Sequence, residues 1–429
     1  MTDSTRIMSK KANEMLPAEA EHVSDESAAP AADTVRGWLV VAGSFVYMMM
    51  SIGCVNSYGV YLQVYKISEF PNSSSATLAW IGTMQYAIMC ILGVGAGVLI
   101  ERFDTRWVGA VGTVISGAGL LAASACTTPE QLVATQGVMF GIGGSGLLVA
   151  GMSLPSQWMD RYRPLAAGVA VAGSSIGGLW MSFATRAMVN HLGRQWALRI
   201  TGLLVFGACG AATPLMRRRV DVPRRDKIID YTVLREFKFV TLFLFGMAGC
   251  AGYFLPYSYM PSYSVIVLRE ASSWGASISA FLNVGSFFGR VLTGILAQYI
   301  GSMNALLLNT FLSVFSILVL WLPFKNLAVL VVAALIFGFS SGSFVSLVPV
   351  VTATLFGIKR LPSILGILFI SFCFGTLIGS PVGGRLLDIY GHGTDFSPLV
   401  IYAGVVYAAG LVLFLILRIS VSRNIFEAV

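Results

Sequence analysis

The chain is organised as twelve long apolar runs separated by short polar stretches. Each run has about the 20 residues that an α-helix needs to cross the hydrocarbon core of a bilayer. The runs cover residues 38–63, 78–100, 107–126, 131–154, 164–185, 196–215, 239–262, 275–298, 304–323, 327–351, 361–384 and 398–417. Because most connections are short, successive helices are predicted to be antiparallel. The pattern therefore predicts an all-α membrane protein with twelve transmembrane helices, in which the end of the seventh, near Pro256 and Pro261, is the least defined boundary.

Composition favours lipid as the solvent of this chain. Hydrophobic residues make up 56% of the 429 positions and charged residues 11%, whereas a soluble domain has about 25% charged residues. The six cysteines all fall inside apolar runs and none forms a CxxC pair. Packing is therefore a better explanation for them than a disulfide or metal site. The sequence predicts no metal and no cofactor.

The distribution of positive charge predicts the orientation in the membrane. With the N-terminus inside, 20 of the 28 Lys and Arg residues fall in inner segments and 6 in outer segments. Because cytoplasmic loops are enriched in Lys and Arg, both termini are predicted to be cytoplasmic. Residues 1–35 and 421–429 are then cytoplasmic tails, of which the first is polar and expected to be disordered.

Two loops carry further features. Residues 216–236 begin with the basic run MRRRVDVPRRDK and are predicted to be a cytoplasmic linker between two six-helix bundles rather than a nucleic-acid site. Contact of this run with anionic lipid headgroups is a further expectation. The sequon Asn72-Ser73-Ser74 in the first outer loop predicts a glycosylation acceptor at Asn72.

The two halves of the chain repeat each other. Five pairs of residues recur at a separation of 197 or 198 residues: Pro164 and Pro362, Gly168 and Gly366, Gly177 and Gly375, Gly97 and Gly294, and Gly144 and Gly342. The repeat predicts two pseudo-symmetric six-helix bundles, residues 36–215 and residues 237–420, as in transporters that are built from duplicated halves.

The loop after the second helix has a recognisable pattern. Gly97 is followed by the charged residues Glu101, Arg102, Asp104 and Arg106. Glycine allows two helices to approach closely, and the charges can form a network at the membrane surface. The pattern resembles the signature loop of the major facilitator superfamily, which implies a gating role for these five residues. The alternative is an ordinary charged turn.

The start of the fifth helix carries Asp160, Arg161, Gly168, Gly173 and Gly177 within the run DRYRPLAAGVAVAGSSIGG. Its small residues predict a tight packing face. The run resembles the fifth-helix signature of the monocarboxylate porter family, most closely its fungal branch, and it implies that these five residues take part in gating.

Segments at the two ends of the chain extend this resemblance. The acid, glycine and tryptophan at Asp33, Gly37 and Trp38 are similar to the opening of the same family, although the usual double glycine after the acid is absent. The segment 379–388 is similar to the family's eleventh-helix exit.

Arg290 is the most informative polar residue, because it lies in the eighth helix with apolar turns on both sides. A cation inside a membrane helix costs at least about 2.5 kcal/mol, so it normally faces a cavity or a partner. No acidic residue falls inside a predicted span, so a carboxylate substrate is a candidate partner. Asn283 and Ser286 lie on a similar face of the helix. In the alternative, Arg290 reaches the membrane surface or binds backbone carbonyls.

Three further polar residues are substrate-binding candidates: Asn56, Gln85 and Tyr257. For the two amides, hydrogen bonding between helices is the alternative; for Tyr257 it is a place in an interfacial aromatic belt. The resemblance implies a substrate-binding role for Arg290. The chain has Ser286 and Asn56 where the animal members have an aspartate and a lysine. Protons are the candidate coupling ion, with a protonated substrate, a water chain or uncoupled transport as alternatives.

The resemblance implies a secondary-active transporter that moves a small organic anion, similar to a monocarboxylate, across the bilayer by alternating access. The plasma membrane is the expected location. An exporter of a larger secondary metabolite and a non-transporting nutrient sensor are the alternatives. A membrane enzyme is disfavoured because His, Asp and Glu do not cluster in the spans. A channel is disfavoured by the duplicated halves, and a nucleic-acid partner is not expected.

Overall fold

The computed structural model describes residues 32–65, 69–70, 73, 75–219, 233–391 and 395–422. Four of the sequence predictions fall wholly or partly outside these residues. They are the disordered tail at 1–35, the glycosylation acceptor Asn72, most of the linker at 216–236 and the tail at 421–429. They stay predictions.

The described chain is a set of long helices. In chain order they are α1 (Val35–Val64), α2 (Ser75–Ile91 and Gly93–Arg102), α3 (Thr105–Ala123), α4 (Pro129–Trp158), α5 and α6 (together Arg163–Ala212), α7 (Phe237–Ile266), α8 (Ser272–Ile300), α9 (Ser302–Trp321), α10 (Leu327–Phe356), α11 (Leu361–Ile389) and α12 (Ser397–Val421). These helices confirm the predicted fold class. Most are longer than the apolar runs that predicted them, because helical geometry continues beyond the hydrocarbon core.

One glycine divides α5 from α6. Gly193 has φ 81° and ψ 167° and is the non-helical residue within Arg163–Ala212. The left-handed φ favours glycine, which has no Cβ to clash. On α1, Tyr47 bonds Thr213 and Tyr61 bonds Thr201, so α6 is antiparallel to α1. Gly193 thus reverses the chain within one residue, where the sequence predicted a ten-residue connection.

Helix α7 continues through both of its prolines. Pro256 and Pro261 lie inside Phe237–Ile266, although the sequence left this boundary uncertain. Proline is tolerated in membrane helices where neighbouring groups satisfy the freed carbonyls. Near the end of α7, the hydroxyl of Ser264 also donates to the carbonyl of Pro261 at 2.7 Å.

The pseudo-symmetry extends to the packing contacts. A Cβ built at Gly177 would overlap the carbonyl oxygen of Met49, and one built at Gly375 would overlap that of Met247. The two carbonyls are also separated by 198 residues. The same glycine-to-carbonyl contact therefore joins α5 to α1 in the first half and α11 to α7 in the second half.

The two faces of the molecule can be named from the chain itself. We call the side where α1 begins and α12 ends the terminal side, and the other the opposite side. An even number of antiparallel helices places both ends on one side. Large apolar side chains such as Trp107, Phe183 and Leu203 are exposed around the bundle, as expected for a surface that faces lipid.

Candidate functional site

A cavity of about 440 Å³ lies between the two halves. Its wall is formed by α1, α2 and α4 of the first half and by α7, α8, α10 and α11 of the second. Small-molecule sites typically have volumes of about 300–1,000 Å³. The position between the halves and the volume both fit a binding site for one small molecule.

The cavity is closed toward the terminal side and exposed toward the opposite side. The lining residues nearest the terminal side, Met152 and Phe369, are 2% and 3% exposed. Three lining residues toward the opposite side, Asn56, Thr83 and Ser258, are exposed. A solute would therefore enter or leave this conformation from the opposite side.

Arg290 lines the cavity and reaches across to the other half. Its Nη1 donates to the carbonyl of Val171 at 2.8 Å and to the hydroxyl of Ser174, both on α5. The side chain is buried, and its Nε–H has no hydrogen-bond partner among the described groups. Both interpretations of the sequence thus have support, since Arg290 lies at the cavity wall and also binds a backbone carbonyl.

The electrostatics of the cavity are set by this one side chain. Among the described residues that line it, Arg290 carries the one formal charge. The other polar groups of the wall are uncharged, for example Asn56, Thr83, Ser258 and Thr376. An isolated cation in an apolar cavity attracts an anion strongly because the medium screens charge poorly.

Asn56, a predicted substrate contact, is one of the residues that line the cavity. It lines the exposed end of the cavity, and its Cβ and amide nitrogen lie against Gly178 of α5. A Cβ built at Gly178 would be 3.0 Å from the Cβ of Asn56. Asn56 therefore faces the solute path while α5 supports its other side.

The structure places four other candidates away from the cavity wall. Ser286 is covered by α5 and α10, where it accepts a hydrogen bond from Ser175 at 3.4 Å and lies against Gly342. The amide of Asn283 donates to the carbonyl of Ser279 in its own helix. Asn283 and Ser286 lie on a similar face of α8 to Arg290, but this does not bring them to the cavity wall, because neighbouring helices cover most of that face.

Gln85 and Tyr257 are also absent from the wall. Gln85 is 1% exposed, and its backbone carbonyl lies against Gly141 of α4. Tyr257 stacks on Tyr253 with ring centroids 5.1 Å apart, one layer behind the lining. Their role as direct substrate ligands has no support from this geometry and stays a prediction.

Four close glycine contacts seal the terminal side. Gly97 of α2 lies against the carbonyl of Pro362, and Gly294 of α8 lies against that of Pro164. In the second pair of contacts, Gly168 of α5 meets the carbonyl of Arg290, and Gly366 of α11 meets that of Gly93. Each pair is exchanged by the 197- or 198-residue repeat. The two halves thus touch backbone to backbone, which only glycine permits at these positions.

A charge network lies beside the Gly97 contact. The carboxylate of Glu101 accepts a hydrogen bond from the backbone N–H of Ser363 across the interface at 3.2 Å, and its carbonyl accepts from Arg218. Asp104 caps α3 and pairs with Arg106 at 2.7 Å. Arg102 is exposed. Glu101 therefore links the halves directly, whereas Asp104 and Arg106 shape the turn between α2 and α3.

A second network holds the loop between α4 and α5. Asp160 pairs with Arg163 at 2.8 Å and with Arg219 at 3.3 Å. The carboxylate of Asp33 accepts hydrogen bonds from the backbone N–H groups of Asp160, Arg161 and Tyr162, a role that its sequence pattern does not predict. Its place in the opening motif was the available signal, but no sequence pattern identified the loop it binds.

Gly173 and Gly177 act within the first half. A Cβ at Gly173 would overlap the carbonyl of Phe45, and one at Gly177 would overlap that of Met49. Both partners lie on α1. These two glycines therefore fix α5 against α1, whereas Gly168 makes the contact between the halves.

A larger apolar groove of about 580 Å³ lies outside the helix bundle, between α2, α3 and α4. Its rim includes Phe103 and Trp107, which are 56% and 70% exposed. None of the described residues that line it is charged, so these residues offer no charged group that would recognise a polar solute. Its position on the lipid-facing surface favours contact with acyl chains.

The sequence profile of the Major Facilitator Superfamily matches residues 39–324. The chain belongs to the major facilitator superfamily. Among its relatives, MFS transporter asaE of Aspergillus flavus is 30% identical over 402 residues, with 92% of this chain and 89% of the relative covered. Agnestins efflux protein AgnL12 of Paecilomyces divaricatus is 29% identical, with 91% and 89% covered. Aspyridones efflux protein apdF of Emericella nidulans is 29% identical, with 87% and 77% covered.

A solved structure of this superfamily has the same fold. The transporter FucP, described in the outward conformation, matches with a TM-score of 0.68 at 13% sequence identity, covering 89% of this chain and 98% of that one. This major facilitator chain is thus a multi-pass membrane transporter. Its finer placement among the monocarboxylate porters stays a prediction.

Proposed function

We propose that this major facilitator protein exports an organic acid of drug-like size by alternating access, and that Arg290 binds the acid group. The observation that carries the proposal is a cavity between the halves that is closed at the terminal side and in which Arg290 is the one cation among the described lining residues. Guanidinium pairs with carboxylate through two parallel hydrogen bonds, so an organic anion is the ligand that this cavity favours.

Substrate binding and conformational change meet at Arg290. Its Nη1 is held by Val171 and Ser174 of the other half. A carboxylate that takes both arms of the guanidinium replaces these bonds, and α8 is then less tightly joined to α5. In the described conformation the anion and α5 therefore compete for Arg290, so the bonds from Arg290 to α5 favour release of the anion and closure of the terminal side.

The size of the cavity favours the larger of the two substrate classes considered from sequence. A volume of about 440 Å³ is in the range that holds drug-sized ligands, and a three-carbon acid would leave most of it to water. Two relatives are named as efflux proteins for particular compounds. Both facts support an exporter of a metabolite over an importer of a small monocarboxylate.

The direction of transport depends on the orientation of the terminal side. The charge distribution of the sequence supports a cytoplasmic terminal side. The described conformation is then open to the outside, so it is the state that releases an exported solute. Loading requires a second conformation in which the glycine contacts at Gly97, Gly168, Gly294 and Gly366 separate. The plasma membrane is the location that fits this direction.

Counterflow in proteoliposomes tests the proposal directly. Purified protein is reconstituted into liposomes that are loaded with one unlabelled organic acid. Uptake of the same acid in labelled form, added outside, is then measured for a series from short monocarboxylates to aromatic acids. Arg290→Gln is compared with Arg199→Gln as the matched control, because Arg199 bonds Ser124 and does not line the cavity. We expect saturable counterflow that Arg290→Gln abolishes and Arg199→Gln preserves.

Two results would overturn the proposal. Absence of counterflow for every acid, from protein that retains its thermal unfolding transition, would favour a non-transporting sensor. Equal counterflow by Arg290→Gln and wild type would remove Arg290 from the substrate site. A proton gradient imposed across the same vesicles shows whether protons drive net movement.

A further inference from the structure

Aromatic rings from both halves wall the part of the cavity that lies between Arg290 and the open, opposite side. Tyr86 of α2 and Phe254 of α7 meet edge to face across the interface, with ring centroids 5.7 Å apart. Phe254 also contacts Tyr253 at 5.1 Å, and Tyr253 stacks on Tyr257 at 5.1 Å. We call Tyr86, Phe254, Tyr253 and Tyr257 the aromatic wall. Its first three members line the cavity together with Arg290.

The aromatic wall and the cation lie at different depths. Phe254 is 17 residues into α7 from the terminal side, and Arg290 is 10 residues before the terminal end of α8. At 1.5 Å per residue, the two levels differ by about 10 Å. A ligand that touches both needs an acid group at one end and a ring several bonds away.

The contact between Tyr86 and Phe254 is unusual among the aromatic pairs of this protein. Both rings line the cavity and they belong to different halves, so the pair must separate or slide when the halves move. An aromatic ring of the ligand inserted between Tyr86 and Phe254 would make edge or face contacts with both side chains. Aromatic pairs of this kind contribute beyond the area that they bury, whereas a saturated ring of the same size does not.

From these positions we infer that the transported organic acid is an aryl-alkanoate, an aromatic ring joined by a flexible linker to one carboxylate. The inference rests on the proposed function, because it assumes that Arg290 binds the acid. The carboxylate pairs with Arg290 and the ring enters between Tyr86 and Phe254. Tyr253 contacts Phe254 and, like Arg290, lines the cavity.

This arrangement also explains why one cation suffices. Several uncharged polar groups line the cavity, namely Asn56, Thr83, Ser258 and Thr376, and none can neutralise a second anionic group. A dicarboxylate would bring one unpaired charge into the apolar wall, which is strongly disfavoured. The cavity therefore selects one negative charge and one ring.

Three labelled acids separate the contributions of the ring, of its size and of the acid. They are 5-phenylpentanoate, 5-cyclohexylpentanoate and pentanoate, and each is assayed by counterflow in proteoliposomes of the full chain. We expect the phenyl acid to have a KM about fivefold below that of the cyclohexyl acid, as an aromatic contact predicts. Pentanoate should have the highest KM of the three.

Variants identify the wall as the source of this preference. Phe254→Leu and Tyr86→Leu should each raise the KM for 5-phenylpentanoate about fivefold and leave the KM for pentanoate unchanged. Phe311→Leu is the matched control, because Phe311 of α9 is 52% exposed and lies outside the cavity. A merely structural role for the wall would alter transport of all three acids together.

The outcomes distinguish this inference from the function on which it rests. Equal KM values for the phenyl and cyclohexyl acids, with counterflow that still depends on Arg290, would overturn the aryl-alkanoate assignment and leave the organic-acid exporter standing. Loss of counterflow for all acids in wild type would overturn both. Unchanged KM values in Phe254→Leu and Tyr86→Leu would overturn the subsite even if the phenyl acid is preferred.

Discussion

The Nη1 of Arg290 donates to the carbonyl of Val171 at 2.8 Å, so a cation of the second half is held by the backbone of the first. The hydroxyl of Ser174, one turn further along α5, is the second partner of the same nitrogen. One side chain thus takes part in closing the terminal side and in the proposed binding of the substrate. A ligand and α5 compete for it.

The first prediction follows from this competition. Ser174→Ala removes one of the partners on α5, so Arg290 is released to the anion more easily. Because one hydrogen bond contributes about 0.5–1.5 kcal/mol, the KM for a transported acid should fall between about twofold and tenfold. Counterflow kinetics measure the change. Ser182→Ala is the control on the same helix, since Ser182 bonds the carbonyl of Gly178. An unchanged or higher KM in Ser174→Ala would show that α5 does not compete.

The second prediction concerns the glycine seal. Gly168→Ala places a Cβ against the backbone carbonyl of Arg290, and a carbonyl cannot rotate aside. The terminal side should then open in a larger fraction of molecules. Spin labels at Arg161→Cys and Tyr299→Cys, both on the terminal side, report the separation of the halves by pulsed electron resonance. The described native cysteines are buried, which limits labelling at other positions.

Gly366 and Gly207 supply the comparison for this experiment. Gly366→Ala is the pseudo-symmetric change, because its Cβ would be 2.5 Å from the carbonyl of Gly93, and it should lengthen the same distance. Gly207→Ala should not, since a Cβ there meets no atom within 4 Å. A distance distribution in Gly168→Ala that matches wild type would contradict the proposed role of the contact.

The third prediction concerns pH. Among the described residues of the cavity wall there is no Asp, Glu, His or Lys, and arginine stays protonated at all ordinary pH values. The charge of the wall is therefore constant between pH 6 and 8. Counterflow of a carboxylic acid with equal pH on both sides should vary less than about twofold over this range. It should fall below about pH 5, where the substrate itself becomes protonated. A bell-shaped profile near neutrality would indicate a titrating protein group.

The fourth prediction concerns the loop between α4 and α5. Asp33 has a positive φ of 54° and accepts three backbone N–H groups of that loop. Asp33→Ala leaves these donors without a carboxylate, and hydrogen bonds to charged groups contribute about 1.5–3 kcal/mol. Scanning fluorimetry of the solubilised protein should show a lower Tm. Asp33→Asn keeps one acceptor oxygen, so its Tm should lie between those of Asp33→Ala and wild type. Equal Tm values for Asp33→Ala and wild type would exclude the bracing role.

The sequence predicted the helices and the duplication because both depend on local composition. A run of apolar residues long enough to cross a bilayer has few alternatives, and a repeat of small residues at 198 positions survives as a repeat of contacts. The same logic singles out Arg290, since a charge inside an apolar helix needs a partner, and the structure places this residue at the cavity wall. Its partners on α5 were not predictable, because the backbone carbonyl of Val171 leaves no mark in the sequence and nothing in the sequence places Ser174 beside Arg290.

The other site candidates show that the sequence does not distinguish residues that line the cavity from residues that a neighbouring helix covers. Ser286 and Arg290 share a helix stripe, but α10 covers one and the cavity reaches the other. Tyr86 lines the cavity, whereas its neighbour Gln85 does not, and the backbone carbonyl of Gln85 lies against Gly141 of α4. A hydrophobic sequence gives no signal that separates these cases, because lipid, a neighbouring helix and an apolar cavity all favour the same residues.

The isolated charge of Arg290 has a consequence for energetics across a polarised membrane. With a carboxylate bound, the cavity is electrically neutral, whereas the empty cavity carries one positive charge. The membrane potential then acts on the return of the empty carrier, by up to about 2.3 kcal/mol per 100 mV, and hardly at all on the loaded one. Exchange of one acid for another should be insensitive to a potassium diffusion potential. Net export should respond to the diffusion potential, because net export includes the return of the empty carrier. The membrane potential therefore sets the direction of net transport through that return step.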